Sequence, residues 1–172
     1  MDAERPFEPT RQPLACDLRI ALYQPDIAGN TGAILRLGAC MGMGIELIGP
    51  VGFDMSDRTL KRAGMDYVAM AGLTRHVDWS VFRAWQQTGK RRLVLFTTRA
   101  ATELWDFAFR PDDVLLFGRE SSGVPETVHE AADGAVLIPM PGGGRSLNLA
   151  MSAAIAAGEA MRQIRSTALA TS

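Results

Sequence analysis

The sequence has few cysteines, no recognisable metal-ligand pattern and no long apolar segment. Its 172 residues include two cysteines, Cys16 and Cys40, in no CxxC or Cys/His arrangement. We therefore expect reduced thiols, with Cys40 a small core residue, and no metal site. No uncharged run approaches the roughly 18 residues of a membrane span, and no charged-then-apolar leader is present. These absences predict a protein that does not bind membranes and works in the cytoplasm.

Three signatures of common enzymes are also missing. The sequence contains no GxxxxGK[ST] phosphate loop, no GxGxxG after its first strand, and no GxSxG nucleophile turn. The two histidines, His76 and His129, are far apart in the sequence, and we assign both to surface or structural roles. Kinases, dinucleotide-dependent dehydrogenases and histidine-based hydrolases are accordingly disfavoured.

Charge is segregated along the chain, although the formal net charge is only -1. Residues 58–99 hold nine Lys or Arg and two acids, whereas residues 100–139 hold two Arg and eight acids. The densest cationic groups are Arg58, Lys61 and Arg62, at helical spacing, and the run Lys90, Arg91 and Arg92. Such groups attract phosphates, but they are also what an ordinary solvated surface contains, and the composition leaves both interpretations open.

A polar tail precedes the folded region. Residues 1–16 hold three prolines with mixed charges and no apolar period, which predicts a flexible N-terminal tail. Residues 17–172 are long enough for one domain, and a hydrophobic content of 47% can supply its core.

Short strands and helices alternate through this domain. The predicted strands are residues 18–23, 45–48, 67–70, 93–98, 114–117 and 135–138. The predicted helices run from an N-cap at Asn30 to about residue 41, over residues 57–63 and 79–87, and through the alanine-rich stretch after residue 148. Near-continuous apolar runs such as LVLFTT and VLLF are typical of strands covered on both faces. The pattern predicts an α/β fold with a mostly parallel sheet flanked by helices.

Three loops at the carboxyl ends of predicted strands combine glycine with polar residues. They are QPDIAGNTGAILRLG from residue 24, FGRESSGVP from residue 117 and IPMPGGGRSLNL from residue 138. Ligands of open parallel sheets bind at this edge. Three consecutive glycines cost conformational entropy but allow another molecule close to the backbone. The third loop therefore predicts a ligand site.

Motifs in these loops occur in a specific order. NTG at 30–32 is followed by Arg36, FGRESSGVP occupies 117–125, and IPM at 138–140 is followed by RSLNL at 145–149. Together they resemble the SPOUT class of RNA methyltransferases, and within it the small TrmL-type tRNA 2'-O-methyltransferases of the wobble nucleotide. The resemblance covers about residues 18–165. Within this range, GFDMSDRTLKRAGMDY and TRHVDW also resemble the wobble-specific subgroup. Arg119, where such enzymes often carry proline, and the glycine-rich PGGG are departures that bear on substrate choice.

The resemblance implies an α/β knot, in which a C-terminal trefoil knot forms the pocket for S-adenosylmethionine. Knots are rare in proteins, and nothing in the composition indicates one. The resemblance places the cofactor among eight residues: Phe96, Gly118, Ile138 and Ser146, with the neighbours Thr97, Gly123, Met140 and Leu147. Taken singly, Phe96 and Ile138 fit core strand residues better than cofactor contacts.

The resemblance also places Arg36 at the catalytic position. A guanidinium has a pKa above about 12 and is a poor base, so we expect it to hold a substrate phosphate and stabilise the developing alkoxide. Glu120 could orient Arg36 or balance the positive charge of the cofactor. Asn30, Ser146 and Asn148 could position the ribose or fix the loops, although Asn and Ser are also common helix N-caps.

Members of this class work on RNA as homodimers with shared sites, which implies a homodimer acting on the tRNA anticodon stem-loop. The residues expected at the dimer face are Leu35, Ala39, Ala150, Ala154, Ala157 and Met161, although a monomer could bury them internally. Two alternatives stay open: a SPOUT enzyme for another tRNA or rRNA ribose, and a non-catalytic RNA-binding knot domain.

Overall fold

A six-stranded sheet forms the centre of the molecule. The computed structural model describes residues 16–54 and 71–170. Its strands are β1 (Arg19–Tyr23), β2 (Gly44–Ile48), β3 (Leu73–His76), β4 (Leu93–Phe96), β5 (Val114–Phe117) and β6 (Gly134–Val136). Their order is β3-β2-β1-β5-β4-β6, and each pairing between neighbours is parallel. The predicted parallel α/β fold is confirmed, whereas the trefoil knot stays a prediction.

Helices cover both faces of this sheet. Within the described residues they are α1 (Ala28–Met41), α2 (Trp79–Thr88), α3 (Glu126–Glu130) and α4 (Leu149–Ala170), with a 3₁₀ turn at Leu104–Asp106. Alternate strand residues enter different cores: Ile20 and Leu22 pack with α1 and α4, whereas Ala21 and Tyr23 pack with α2 and α3. Burial on both faces explains the near-continuous apolar strands. In the described part of the chain, no helix has both the length and the apolarity needed to cross a membrane.

Several predicted elements differ from the structure or lie outside it. The helix predicted at 57–63, the strand predicted at 67–70, and residues 1–15 of the predicted tail are outside the described residues. The division into a tail and one domain stays a prediction. β3 was not predicted, because its sequence, LTRH, is that of a half-exposed edge strand rather than an apolar run.

Two predictions about α1 are wrong. The helix begins at Ala28, with Ile27 in the N-cap position and no side-chain cap, so Asn30 lies inside the first turn. Cys40 is exposed. The buried positions of α1 include Ile34, Leu35 and Gly38, which define a face that does not include residue 40.

A buried charge cluster lies on the α2 face of the sheet. The Glu46 side chain is fully buried, with Oε1 accepting from Arg19 Nε at 2.5 Å and Oε2 lying 2.5 Å from His76 Nε2. The His76 ring packs edge-on against Phe82, with centroids 5.3 Å apart. A buried carboxylate needs such partners because its desolvation is costly. His76 therefore has a structural role, one of the two predicted for it.

Two of the three cations at residues 90–92 are paired with carboxylates. Arg91 is bonded to the carboxylate of Asp17, and Arg92 grips the buried Asp113 through two bonds of 2.7 and 2.6 Å. The Asp113 carboxylate raises the pKa of Arg92. These pairs precede β4, at the edge of the sheet away from the carboxyl ends of the strands. The other cationic group, at residues 58–62, lies outside the described residues.

Candidate active site

A cavity of about 470 Å³ lies at the carboxyl ends of β4, β5 and β6. Parallel pairing brings these ends together and gathers the three glycine-containing loops around one space. All eight residues expected to contact the cofactor line it: Phe96, Thr97, Gly118, Gly123, Ile138, Met140, Ser146 and Leu147. Asn30, Glu120 and Asn148 also line it. Their roles toward a ligand stay predictions.

The floor of the cavity is aromatic and aliphatic. Phe96, at the end of β4, is 9% exposed and stacks on Phe117 with ring centroids 4.8 Å apart. A second stacked ring, Phe109, lies 6.3 Å from Phe96 on the α4 side of the sheet. Phe96 is thus a core residue that also forms a wall of the cavity. The two interpretations of its sequence position, core strand residue and cofactor contact, are therefore compatible.

The second loop is closed by backbone contacts. Arg119 and Gly123 exchange two backbone hydrogen bonds, each of 2.9 Å. A Cβ atom at Gly118 would lie 2.6 Å from the carbonyl carbon of Gly123, and Gly123 itself has a φ of 66°. Side chains are excluded from both positions, because one lacks space and the other has left-handed backbone geometry.

The third loop turns sharply at the glycine run. Gly143 N donates to Met140 O at 3.0 Å and has a φ of 84°, so a glycine is favoured there. Gly142 has nothing within 4 Å of its Cβ direction, and at Gly144 the nearest atom is Met140 Sδ at 3.9 Å. One of the three glycines is therefore explained by the turn, and the other two leave the backbone open to approach.

Polar side chains tie the three loops together. Glu120 Oε1 accepts from Asn30 Nδ2 at 3.1 Å, and Asn148 Nδ2 donates to Asn30 Oδ1 at 2.9 Å. Asn148 Oδ1 accepts from the backbone N–H groups of Ala150 and Met151, so Asn148 caps α4. Asn30 is therefore held by bonds between loops instead of serving as an N-cap. Ser146 is exposed at the cavity wall.

Sequence reasoning missed Asp26, which lies between β1 and α1. Its carboxylate accepts from the Arg119 guanidinium, with Nε to Oδ1 3.1 Å, and from Ser121 Oγ at 2.5 Å. The bonds from Arg119 and then Ser121 lower the pKa of Asp26 to about 2, against a smaller opposing effect of burial. Asp26 follows β1 and Arg119 follows the neighbouring strand β5, so their opposite charges could have predicted this pair from the sequence.

Arg36 does not line the cavity of its own chain within the described residues. It is exposed on α1, and six residues of helix place it about 240° around the axis from Asn30. The catalytic role of Arg36 therefore stays a prediction.

Large apolar side chains are exposed just before α1 and at the start of α4. Of the residues expected at a dimer face, Leu35 and Ala157 are fully buried in their own chain, which corrects that set. Ala154 is exposed, and Ala39, Ala150 and Met161 are partly buried. Large apolar side chains outside that set are exposed: Ile27, Leu147, Met151 and Ile155.

The cavity fits the cofactor that the resemblance implies. Its volume is within the range of small-ligand sites. Its floor is apolar, as an adenine requires, and the Glu120 carboxylate at its rim could offset the charge of a sulfonium. A parallel sheet whose glycine-rich loops form such a cleft defines a nucleotide-like ligand site of an α/β enzyme.

Comparison with known proteins defines the class. The model of the SpoU rRNA methylase family matches residues 17–158. The chain belongs to this family, and the predicted relationship to SPOUT RNA methyltransferases is confirmed.

Similar proteins narrow the relationship further. A tRNA (cytidine(34)-2'-O)-methyltransferase of Beijerinckia indica subsp. indica is 55% identical over 84% of this chain and 91% of its own. A solved structure concerned with 2-OH methylation of C/U34 on tRNA is 41% identical, with a TM-score of 0.82, over 88% of this chain and 98% of its own. An AdoMet-bound rRNA methyltransferase from Sinorhizobium meliloti is 28% identical, with a TM-score of 0.77, over 88% of this chain and 58% of its own.

Proposed function

We propose that this protein transfers the methyl group of S-adenosylmethionine to the ribose 2'-hydroxyl of the wobble nucleotide, cytidine or uridine 34, of tRNA. The observation that carries the proposal is the convergence of the three loop motifs on one cavity. The chain's 55% identity to a tRNA (cytidine(34)-2'-O)-methyltransferase supports the choice of substrate.

The residues of the cavity have distinct parts in this reaction. Phe96, Ile138, Met140 and Leu147 supply apolar contacts for the adenine of the cofactor, and Gly118 and Gly123 keep the second loop close to it. When bound, the cofactor would supply an electrophilic methyl group to the 2'-oxygen and leave as S-adenosylhomocysteine, while the hydroxyl proton would pass to a substrate phosphate or to water. Glu120 and Asn148, fixed through Asn30, hold the shape of the cavity rim.

Arg36 acts in the site of a second copy of the chain. It is exposed on α1 and lies outside the described lining of its own cavity. The exposed apolar side chains Met151 and Ile155 are on α4, which packs against α1, so a dimer through this face would carry Arg36 toward the partner's cavity. There its planar fork would hold a substrate phosphate and stabilise the developing alkoxide.

The anticodon stem-loop is the part of tRNA that presents nucleotide 34, and a homodimer provides more surface for it than one chain of 18.6 kDa. The same substrate agrees with the predicted cytoplasmic location.

The dimer is tested by light scattering of the purified chain and of Met151→Asp. We expect twice the mass of one chain for the unaltered protein and dissociation with loss of methyl transfer for the variant. Val77→Asp is the matched control, since Val77 is exposed on the β3 side of the sheet. An active monomer at all concentrations would rule out a shared site.

The function is tested by nucleoside mass spectrometry of tRNA from cells with and without this protein. The proposal expects a 2'-O-methyl pyrimidine at the first anticodon position that disappears with the protein. Loss of a methyl group from rRNA or from another tRNA position would favour the first alternative. Unchanged RNA with retained RNA binding would favour a non-catalytic domain.

A further inference from the structure

The carboxylate of Asp26 holds both residues that flank Glu120. Oδ1 accepts from Arg119 Nε at 3.1 Å and from Arg119 Nη2 at 2.5 Å. Oδ2 accepts from the backbone N–H of Ser121 at 3.1 Å and from its hydroxyl at 2.5 Å. Four donors therefore converge on one side chain, which holds the Arg119 guanidinium on one side of Glu120 and the Ser121 backbone and hydroxyl on the other.

The connection between the two loops is reciprocal. Asp26 N donates to Glu120 Oε2 at 2.8 Å, while Glu120 Oε1 accepts from Asn30. The Glu120 side chain of the second loop thus accepts from the first loop at Asp26, and the Asp26 side chain of the first loop accepts from the second. Loss of the Asp26 carboxylate would release the Arg119 guanidinium and Ser121 without removing any group that Glu120 itself contacts.

Asp26 is not among the described residues that line the cavity, whereas Arg119, Glu120 and Asn30 are. The Asp26 side chain is 19% exposed, so much of it is shielded from water. The loop after β2 covers it: Gly52 N donates to Pro25 O at 2.9 Å, and a Cβ at Gly52 would lie 2.9 Å from Asp26 Oδ1. The Arg119 side chain is 35% exposed, so the pair is partly shielded, and its two hydrogen bonds define its geometry more closely than in a typical surface pair.

We infer that Asp26 is a positioning residue, which locks the turn Arg119–Glu120–Ser121 onto the first loop so that Glu120 is held at the rim of the methyl-donor cavity. This inference rests on the proposed function, because it assigns Asp26 a part in binding the methyl donor. It also gives Arg119 a role. The guanidinium is engaged by Asp26 and serves the shape of the site, and it is not a free contact for RNA phosphate.

Calorimetric binding of S-adenosylhomocysteine, the demethylated cofactor, tests the inference without any RNA. We expect Asp26→Ala to weaken binding about tenfold, the size of a strong coupling between contacting residues. Ser121→Ala, which removes one bond at an exposed residue outside the described lining, should weaken it less. Glu126→Ala is the matched control, because it removes an exposed ion pair. Glu126 and Arg99 are 3.0 Å apart and both side chains are 60% exposed, so this variant should leave binding unchanged.

A double-mutant cycle separates positioning from general loss of stability. If Asp26 acts through Arg119, then Asp26→Ala combined with Arg119→Ala should bind no more weakly than Asp26→Ala alone. Additive losses would overturn the inference. Each variant is measured well below its thermal midpoint. In steady-state kinetics, the KM for S-adenosylmethionine should rise while the KM for tRNA stays constant. Destabilisation of the fold alone would not change one KM without the other.

The outcomes distinguish the two proposals. Binding by the unaltered chain, with equally tight binding by Asp26→Ala and by Ser121→Ala, overturns the inference alone. Absence of binding by the unaltered chain overturns the proposed function together with the inference that rests on it.

Discussion

Asn148 Nδ2 donates a hydrogen bond of 2.9 Å to Asn30 Oδ1, and so joins two residues that are 118 positions apart in the sequence. Asn148 uses its other polar atom, Oδ1, to cap α4. One side chain therefore fixes the start of the last helix and its position relative to the first. Glu120, bonded to the same Asn30, adds the second loop to this arrangement.

The two bonds of Asn148 can be separated by substitution. Asn148→Asp keeps an acceptor for the α4 cap but removes the donor to Asn30, so we expect nearly unchanged unfolding in urea and reduced methyl transfer. Asn148→Ala loses both bonds and should also lose about 1 kcal/mol of unfolding free energy, the usual value of a cap. Equal methyl transfer by Asn148→Asp and the unaltered protein would show that the link to Asn30 is dispensable.

Two glycines of the site should respond differently to alanine. At Gly118 a Cβ would meet the Gly123 backbone at 2.6 Å, and backbone cannot move aside cheaply. We expect Gly118→Ala to cost about 1–3 kcal/mol of unfolding free energy and to weaken binding of S-adenosylhomocysteine. Gly142, with nothing within 4 Å, is the control and should tolerate alanine in stability. Identical unfolding curves for both variants would contradict the close packing of the second loop.

Arg36 provides a test of chemistry separate from cofactor binding. Arg36→Lys keeps the charge but loses the planar fork. We expect methyl transfer to fall at least about 100-fold, as when an oxyanion-stabilising donor is removed, while S-adenosylhomocysteine binds as before. Full turnover by Arg36→Lys would show that the fork is not needed.

The ion pair of Asp26 predicts a specific pH dependence. Because the pKa of Asp26 falls from an ordinary 3.8 to about 2 in the fold, its charged form stabilises the protein at pH values above about 4. This stabilisation is lost as the pH falls from about 4 toward about 2. The difference in urea midpoint between the unaltered protein and Asp26→Asn should be constant from pH 5 to 8 and shrink below pH 4. A difference that shrinks between pH 5 and 8 would mean that another group is responsible.

Much of the fold was predictable because the strands are buried on both faces. The apolar run at residues 114–117 became β5 (Val114–Phe117) with the same bounds. Edge strand β3 (Leu73–His76) has only one buried residue and carries polar side chains, so hydrophobicity alone could not find it. The start of α1 was misplaced because Asn30 is a good cap by type, and only the folded loops reveal its other partners.

The site was partly predictable for a related reason. Parallel strands bring their carboxyl ends to one edge, so glycine-rich loops far apart in sequence were expected to converge, and the structure gathers them around one cavity. The proposed role of Arg36 requires a second copy of the chain, and the bonds of Asp26 depend on how two loops fold. Neither relationship is encoded in a local motif.

The most direct test of the account is incubation of the purified protein with S-adenosylmethionine and unmodified tRNA, followed by nuclease digestion and mass spectrometry of the anticodon fragment. The account predicts a gain of one methyl group on the ribose of nucleotide 34, absent when Arg36→Lys replaces the unaltered protein. A fragment without a methyl group, or a methyl group on a base, would contradict it.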